Sequence, residues 1–368
     1  MVIVGAGALG LALGVELARR GVETVIVDRG APFERGESAQ GASAGLVNPQ
    51  ARPGVEPEAL RDLSLLSRHL FGDFVEALEE EAGLPCDYDV RGGLTAALTE
   101  AEEVALDRAL DWQRARALRF EVLPGEEARA REPALSAAVR AAFAFPDDGQ
   151  VSPARLARSL ALAARRAGAA VLTHAPVSAV RVEAGRAAGV ETPWGLLRAD
   201  AVVNAAGAWA CLLTGGPALP VLALRAPHAL LDASEDPDRL SRFVAASGGA
   251  LVPRRDGTLV LAGAGARTGL DGLSRAGETA LLLSRAAEIV PAAASYPLLE
   301  TWACLTAASP DGLPLLGETS VPGLFLAAGE GRDGVLLAPA VAALLADILT
   351  GQIPPLPPAP FSPARFGL

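Results

Sequence analysis

The chain has no lysine: all 32 of its basic residues are arginine. Schiff-base lysines, lysine general bases and the phosphate-loop lysine are thereby excluded from its chemistry. Histidine is nearly as scarce. Only His69, His174 and His228 occur, none near another in sequence, so neither a metal centre nor a Ser-His-Asp triad is easily assembled, and no metal is expected. The three cysteines, Cys86, Cys211 and Cys304, are odd in number and lack CxxC spacing, which reads as reduced thiols rather than a disulfide framework or zinc site. Positive charge is short overall. A net charge of -11 argues against a nucleic-acid backbone as the main partner, because phosphate binding needs concentrated positive charge. Apolar runs are broken by Gly, Pro or Arg well short of a membrane span. Met1 is followed at once by the strand-like VIV, which leaves no room for a signal peptide, so a cytoplasmic protein is expected.

What is present is a hydrophobic chain of 368 residues, 51% apolar and 20% charged, long enough for two domains with real cores. VIV at 2–4 is a short buried strand. GAGALG follows, then LALGVELARR with apolar residues at helical spacing and a stop at Gly21, then a second strand, ETVIVD. This βαβ unit carries glycines at 5, 7 and 10, with Asp28 ending the second strand about twenty residues on, the spacing of a dinucleotide fingerprint. The physical roles are separate. Gly5 makes the tight turn, Gly7 lets the backbone approach a pyrophosphate, Gly10 allows close packing, and Asp28 accepts from ribose hydroxyls.

Farther on, 58–82 has a long helical pattern. The stretch 152–168 reads as an arginine-faced helix with Ser152 as N-cap and Pro153 at its first position. AAVLTH is a short strand, 177–199 alternates like a small antiparallel meander, and DAVVNAAGAWA is a buried strand entering Gly207. Longer strands then dominate, with one helix in RAGETALLLSRAAEIV. GLFLAAGEGRDGVLLAPAVAALLADILTG returns to strand, glycine turn and apolar helix, and the proline-rich tail is expected to lie irregularly over the surface. A dinucleotide fold that begins at residue 2 and closes with the last helix implies a discontinuous domain with a second domain inserted.

Taken in order, GAGALG, GASAGLVNP, DGQVSPARL, VVNAAGAWA, LVPRRDGTLVLAGA, SPDGLPLLG and GEGRDGVLLAPA resemble the FAD-dependent amine and amino-acid oxidase family, with the glycine oxidases closest. The resemblance covers nearly the whole chain and implies an α/β fold: a Rossmann-like FAD-binding domain with an inserted, eight-or-so-stranded antiparallel substrate domain. The implied division is FAD-binding at 1–84, 146–216 and 310–368, and substrate-binding at 85–145 and 217–309. One FAD is the implied cofactor. Gly5, Ala6, Gly7, Ala8, Leu9 and Gly10 would hold its pyrophosphate, and Asp28 with Arg29 its adenosine. Ser43, Ala44, Gly45 and Leu46 would meet the flavin side, with Val177, Ala206, Gly207 and Trp209 toward the adenine. Gly329, Gly331, Arg332, Asp333, Gly334, Val335 and Leu336 would bracket the isoalloxazine, with a helix N-terminus aimed at its N1 and O2 region.

The substrate side departs from the family. Thr306 stands where glycine oxidases carry a carboxylate-gripping arginine, Ala250 where a tyrosine is common, and Glu330 where the family has histidine. Arg332 is retained, and it is expected to be buried and to make one charge-assisted contact with a substrate carboxylate. Arg225 or Arg52 could replace the lost clamp, and His228 lies on a strand that faces substrate in relatives. The altered positions imply a roomier pocket with a negative charge, poor for glycine and better for larger or N-substituted amines. Cys304, seven residues before Asp311, falls where the sarcosine oxidase branch has a cysteine bonded to the flavin 8α carbon. Two readings stand: a small buried residue replacing glycine beside noncovalent FAD, or the covalent link itself. Cys86, Cys211 and His69 read as ordinary core or surface residues.

The implied activity is oxidation of the C–N bond of an amine or amino acid by hydride transfer to flavin N5, with oxygen or another electron acceptor. Such chemistry needs neither lysine nor a catalytic histidine. A flavin-binding protein or subunit with little catalysis is the alternative, and the acidic, lysine-free composition is a poor match for the tRNA-modifying relatives of the fold. Homo-oligomerisation is left open.

Overall fold

The computed structural model describes residues 1–30, 43–51, 56–267 and 269–368. Two sheets organise it. The first has six strands in the order Leu315–Glu318, Leu324–Ala328, Val202–Asn204, Val2–Val4, Val25–Val27 and Ala170–Leu172. All pair in parallel except the first two, which form a hairpin. Strands such as VIV are buried on both faces, as parallel sheets require: a three-stranded antiparallel meander covers the Val2 and Val4 side through Val180, Ala187 and Val190, and helices cover the Ile3 side. Ala8–Arg19, Glu58–Ala82, Pro153–Arg166 and Gly334–Thr350 supply that cover, and their apolar faces merge with Ile3, Ile26 and Val203 in one core. A separate three-stranded meander spans Ala179–Glu183, Arg186–Thr192 and Gly195–Arg198.

Pro339 removes an amide from the helix Gly334–Thr350. The Ser67 hydroxyl, from the neighbouring helix Glu58–Ala82, enters the opened ladder: it donates to the Leu336 carbonyl at 2.6 Å and accepts from the Ala340 amide at 3.2 Å.

The second sheet has ten strands rather than eight or so, and it is not wholly antiparallel. Glu330–Gly331, Leu298–Ala308, Leu222–Asp232, Thr258–Gly263, Gly249–Pro253 and Phe243–Ala246 run antiparallel. Phe243–Ala246 then pairs in parallel with Gly93–Ala97, followed by Ala141–Phe145 and Glu121–Pro124. The short strand Ala266–Arg267 adds to Leu222–Asp232. Side-chain alternation gives this sheet two faces. Ala229, Leu231, Leu251, Leu259 and Leu261 pack toward Leu282, Ala286 and Ile289 of the helix Ala276–Ile289, while Ala250, Val252, Val260, Trp302 and Cys304 belong to the core on the other side. The proline-rich tail forms 3-10 turns at Ala359–Phe361 and Pro363–Phe366, buries Phe361, and is tied down by Arg365 on Asp311 at 2.7 Å.

Candidate active site

The strand Val2–Val4 feeds a turn that only glycine fits. Gly5 has φ +109, and a Cβ there would lie 2.3 Å from the Ala205 carbonyl oxygen; one on Gly10 would lie 2.0 Å from that of Gly5. Gly7 is different: a Cβ there would meet nothing within 4 Å, because it opens onto a cavity. The helix Ala8–Arg19 begins at this point with Gly7 as N-cap, no side-chain cap and no acidic residue in its first turn. Its dipole and first amides are therefore directed at the cavity, an arrangement that suits an anionic pyrophosphate. Asp28 holds the turn as well as lining the wall: Oδ2 accepts from the Ala6 amide at 2.6 Å and Oδ1 from Gly30 at 2.9 Å. Nearby, the Arg29 guanidinium lies 3.8 Å from the centroid of the Trp209 ring, a cation–π contact on the same wall.

The cavity measures about 740 Å³ and is bounded by both sheets. From the six-stranded side come Gly5, Gly7, Ala8, Leu9, Asp28 and Arg29, with Val177, Ala206, Gly207 and Trp209. Ser43, Ala44, Gly45 and Leu46 form another part of the wall. His228, Ala250, Cys304 and Thr306 enter from the ten-stranded sheet, and Gly331, Arg332, Asp333, Gly334 and Val335 from the turn that starts the last long helix. Four of the expected cofactor residues lie behind the wall. Ala6 acts through its amide, Gly10 packs on Gly5, Gly329 turns the chain at φ +80, and Leu336 is buried against Ser67. Wall residues that carry no chemical signature in the sequence include Asn48, Ala51, Ala226, Ala245 and Ala262. Period-two alternation with His228 is the signal that could have found Ala226, whereas Ala245 and Ala262 reach the wall through cross-strand register, which the sequence does not show.

The segment 43–51 is held from two directions. Arg254, at the end of Gly249–Pro253, donates to the Ala44 carbonyl at 2.7 Å and to that of Val151 at 3.1 Å. Behind the segment, Asp148 is fully buried: Oδ2 accepts from the Ala51 amide at 2.7 Å and Gln50 at 3.2 Å, while Oδ1 accepts from Arg68 at 2.9 Å. The Gln50 side chain continues the network by donating to Gln113 at 2.8 Å and the Arg119 carbonyl at 3.0 Å.

On the ten-stranded side, register places Trp302, His228, Ala262, Ala250 and Ala245 in one row. His228 stacks on Trp302, with centroids 5.5 Å apart, and its Nδ1 faces the Ala226 carbonyl at 3.1 Å. Ala226 pairs with Cys304, and Leu224 with Thr306. The floor is thus largely alanine, with His228, Cys304 and Thr306 as its functional groups. Burial pushes the Cys304 thiol up to about 12, which keeps it protonated.

Three arginine expectations need separate answers. Arg225 is not a wall residue: three positions from His228 on the same strand, it points to the opposite face, where it pairs with Glu278 and, at 3.4 Å, Asp271. Arg332 is not buried; its side chain is 63% exposed and turned toward Glu56, at 3.6 Å. It sits on the turn ahead of the helix, where water and the Glu56 charge both draw the guanidinium outward. Arg52 lies outside the described residues. His69 is exposed, Cys86 is buried and Cys211 is exposed. Among the described residues no three His, Cys, Asp or Glu side chains gather as a metal site, and no helix is long and apolar enough to cross a membrane.

Comparison with known proteins agrees with this geometry. Residues 1–348 match the DAO family model, described as FAD dependent oxidoreductase. The chain is 33% identical to a glycine oxidase of Pseudomonas aeruginosa over 368 residues, covering 99% of this chain and 98% of that one. The crystal structure of glycine oxidase from Geobacillus kaustophilus superposes with a TM-score of 0.92 at 34% identity, over 98% of this chain and 97% of that one. Iminodiacetate oxidase from Chelativorans sp. BNC1 gives 0.85 at 26% identity, over 98% of each chain. With its dinucleotide turn, two-sheet cavity and full-length likeness, the chain belongs to the DAO family of FAD-dependent oxidoreductases, as a glycine oxidase-like member.

Proposed function

We propose that the cavity holds FAD along the Gly5–Gly10 turn and oxidises the C–N bond of a small amine or amino acid against the floor of the ten-stranded sheet. The observation that carries this reading is one cavity joining an uncapped helix N-terminus at Gly7 to the alanine-lined, partly polar floor. When bound, the flavin supplies the hydride acceptor. The chain's own residues bind and orient: amides of the Ala8–Arg19 first turn take the pyrophosphate, Arg254 fixes the Ala44 backbone, and the start of Gly334–Thr350 directs a second helix dipole at the cavity. His228, Thr306 and Glu330 are the polar groups available to position the amine. Catalysis is then orientation in a water-poor site, and the imine product hydrolyses in water. A flavin protein without catalysis is not favoured, since the full-length relatives are oxidases.

Anaerobic mixing with glycine, sarcosine, D-alanine, D-proline and bulkier amines tests the reading. Loss of flavin absorbance with at least one of them is the expected result, with glycine slow, because no buried guanidinium among the described residues faces the cavity. If no amine bleaches the flavin, C–N oxidation is the wrong reaction.

The flavin is held noncovalently in this proposal. A thiol kept protonated by burial is a poor nucleophile toward the 8α carbon. Acid denaturation should release all flavin into the supernatant; fluorescence remaining on the polypeptide would assign the covalent link to Cys304. Cytoplasmic location, supported by Cys86, Cys211 and Cys304 forming no disulfide among the described residues, and the identity of the electron acceptor belong to the same reading.

A further inference from the structure

Glu330 is a carboxylate placed by register. It pairs with Ala308, and paired residues in a ladder share a face. Ala308 is two residues from Thr306 and four from Cys304 on one strand, so Glu330 shares their face, and Cys304, Thr306 and Glu330 are all part of the cavity wall. The side chain folds back over the start of the last long helix: a Cβ on Gly334 would lie 3.2 Å from its Cγ. Its Oε2 is covered and has no hydrogen-bond partner among the described residues. That oxygen has lost water without gaining a partner, although the carboxylate keeps a hydrogen bond from its own backbone amide, and a cation entering the cavity restores what was lost.

The surroundings have the same sign. Asp333 lies three residues on, at the N-cap of the helix, and Glu56 faces the rim; the Arg332 guanidinium beside these three carboxylates is turned outward to Glu56. His228 and Cys304 are the titratable groups that the ten-stranded sheet adds to this wall, and Asp28 and Arg29 lie on the six-stranded side. A substrate carboxylate would meet net negative charge here, whereas an organic ammonium would meet the complementary sign.

We propose that Glu330 is the specificity-determining residue of the site, taking the ammonium group of the substrate and selecting amines that carry no free carboxylate beside the nitrogen. This rests on the C–N oxidation reading. The small floor of Ala226, Ala245, Ala250 and Ala262 supplies room for alkyl groups on such a cation. Burial, and then the Asp333 charge, push the Glu330 carboxyl up to about 7, so the cation-binding form grows as pH rises through neutrality.

Binding without turnover tests the proposal. The FAD-loaded protein is titrated calorimetrically with tetramethylammonium, a permanent cation without an N–H, and with acetate. The wild type should bind the cation about tenfold or more tightly than acetate, and Glu330→Gln should lose about tenfold or more of the cation affinity. Cation affinity should rise from pH 6 to pH 8 in the wild type and stay flat in the variant. A wild-type preference for acetate, or a cation affinity unmoved by Glu330→Gln, overturns the assignment. Should the cation preference hold while no amine bleaches the flavin, the reaction is wrong and the recognition stands. Rapid bleaching by glycine with no cation preference has the reverse meaning.

Discussion

Gly10→Ala will yield colourless protein that does not retain FAD and unfolds more readily than the wild type. The added methyl would lie 2.0 Å from the Gly5 carbonyl oxygen, in the tight turn, and 3.3 Å from Ile3 Cγ2, in the buried parallel strand. Neither neighbour is a flexible chain end, so the helix Ala8–Arg19 must lift away from the turn. Overpacking of this kind costs about 1–3 kcal/mol in stability. It also displaces the amides that face the cavity. Gly7→Val is the informative companion, because a Cβ at Gly7 meets no protein atom within 4 Å and projects into the space assigned to the pyrophosphate. That variant should keep the thermal stability of the apoprotein and still lose flavin, read as the absorbance ratio of flavin to protein after purification. Retention of flavin by Gly7→Val would move the pyrophosphate elsewhere.

Asp148→Ala is expected to destabilise the protein by about 3–5 kcal/mol, the range for removing one partner of a buried ion pair. Three donors converge on this carboxylate: Arg68, and the Gln50 and Ala51 amides. Deleting it leaves the Arg68 charge, only 14% exposed, without its partner, and frees the segment whose Asn48 and Ala51 form part of the cavity wall. Urea unfolding measures the first effect, and flavin content measures the second. Asp148→Asn keeps an acceptor for the backbone amides and should fall between the two. An Asp148→Ala midpoint equal to the wild type would mean that water replaces the carboxylate at no cost.

The parts of this fold that can be read in the sequence are those in which local pattern and tertiary role coincide. The fingerprint at 2–28 is one, since Gly10 packs on Gly5, Asp28 holds the Ala6 amide and the helix starts uncapped, all within about thirty residues, although Gly5 also meets the distant Ala205 carbonyl. The helix at 58–82 is another, its apolar stripe ending at Gly83 in a left-handed turn. The stretch 85–145 offers no elements to sequence reading, although it holds three strands and three short helices. Gly93–Ala97 shows why: GLTAA has little strand character, and it is a strand because it pairs with Phe243–Ala246, far away in the chain, in the sheet's parallel junction. A Cβ on Gly93 would overlap the Phe243 ring, a requirement that nothing local announces.

The site divides in the same way. Thr306, Ala250 and Glu330 stand out as departures from a family pattern, and geometry places all three on the cavity. Arg225 fails as a clamp for a reason the sequence does contain, since an odd separation from His228 on one strand means opposite faces. Arg332 fails for one it does not contain, because exposure at the tip of a turn depends on Glu56 and the shape of the rim.

The order of strands in the six-stranded sheet also constrains how this protein comes into being. Val2–Val4 lies between Val25–Val27 and Val202–Asn204, which in turn waits for Leu324–Ala328. Val2–Val4 therefore gains one neighbour soon after it is made, but the sheet around it is not completed until residues beyond 324 have been made. The helix Gly334–Thr350, with eleven buried residues, is synthesised later still. Until then the core around Ile3, Leu11 and Leu13 has no cover on that side. Folding dominated by such long-range pairings is slow and exposes apolar surface while it proceeds. A nascent chain of this design is thus a natural client for chaperones, and truncation ahead of Gly334 should release an insoluble product.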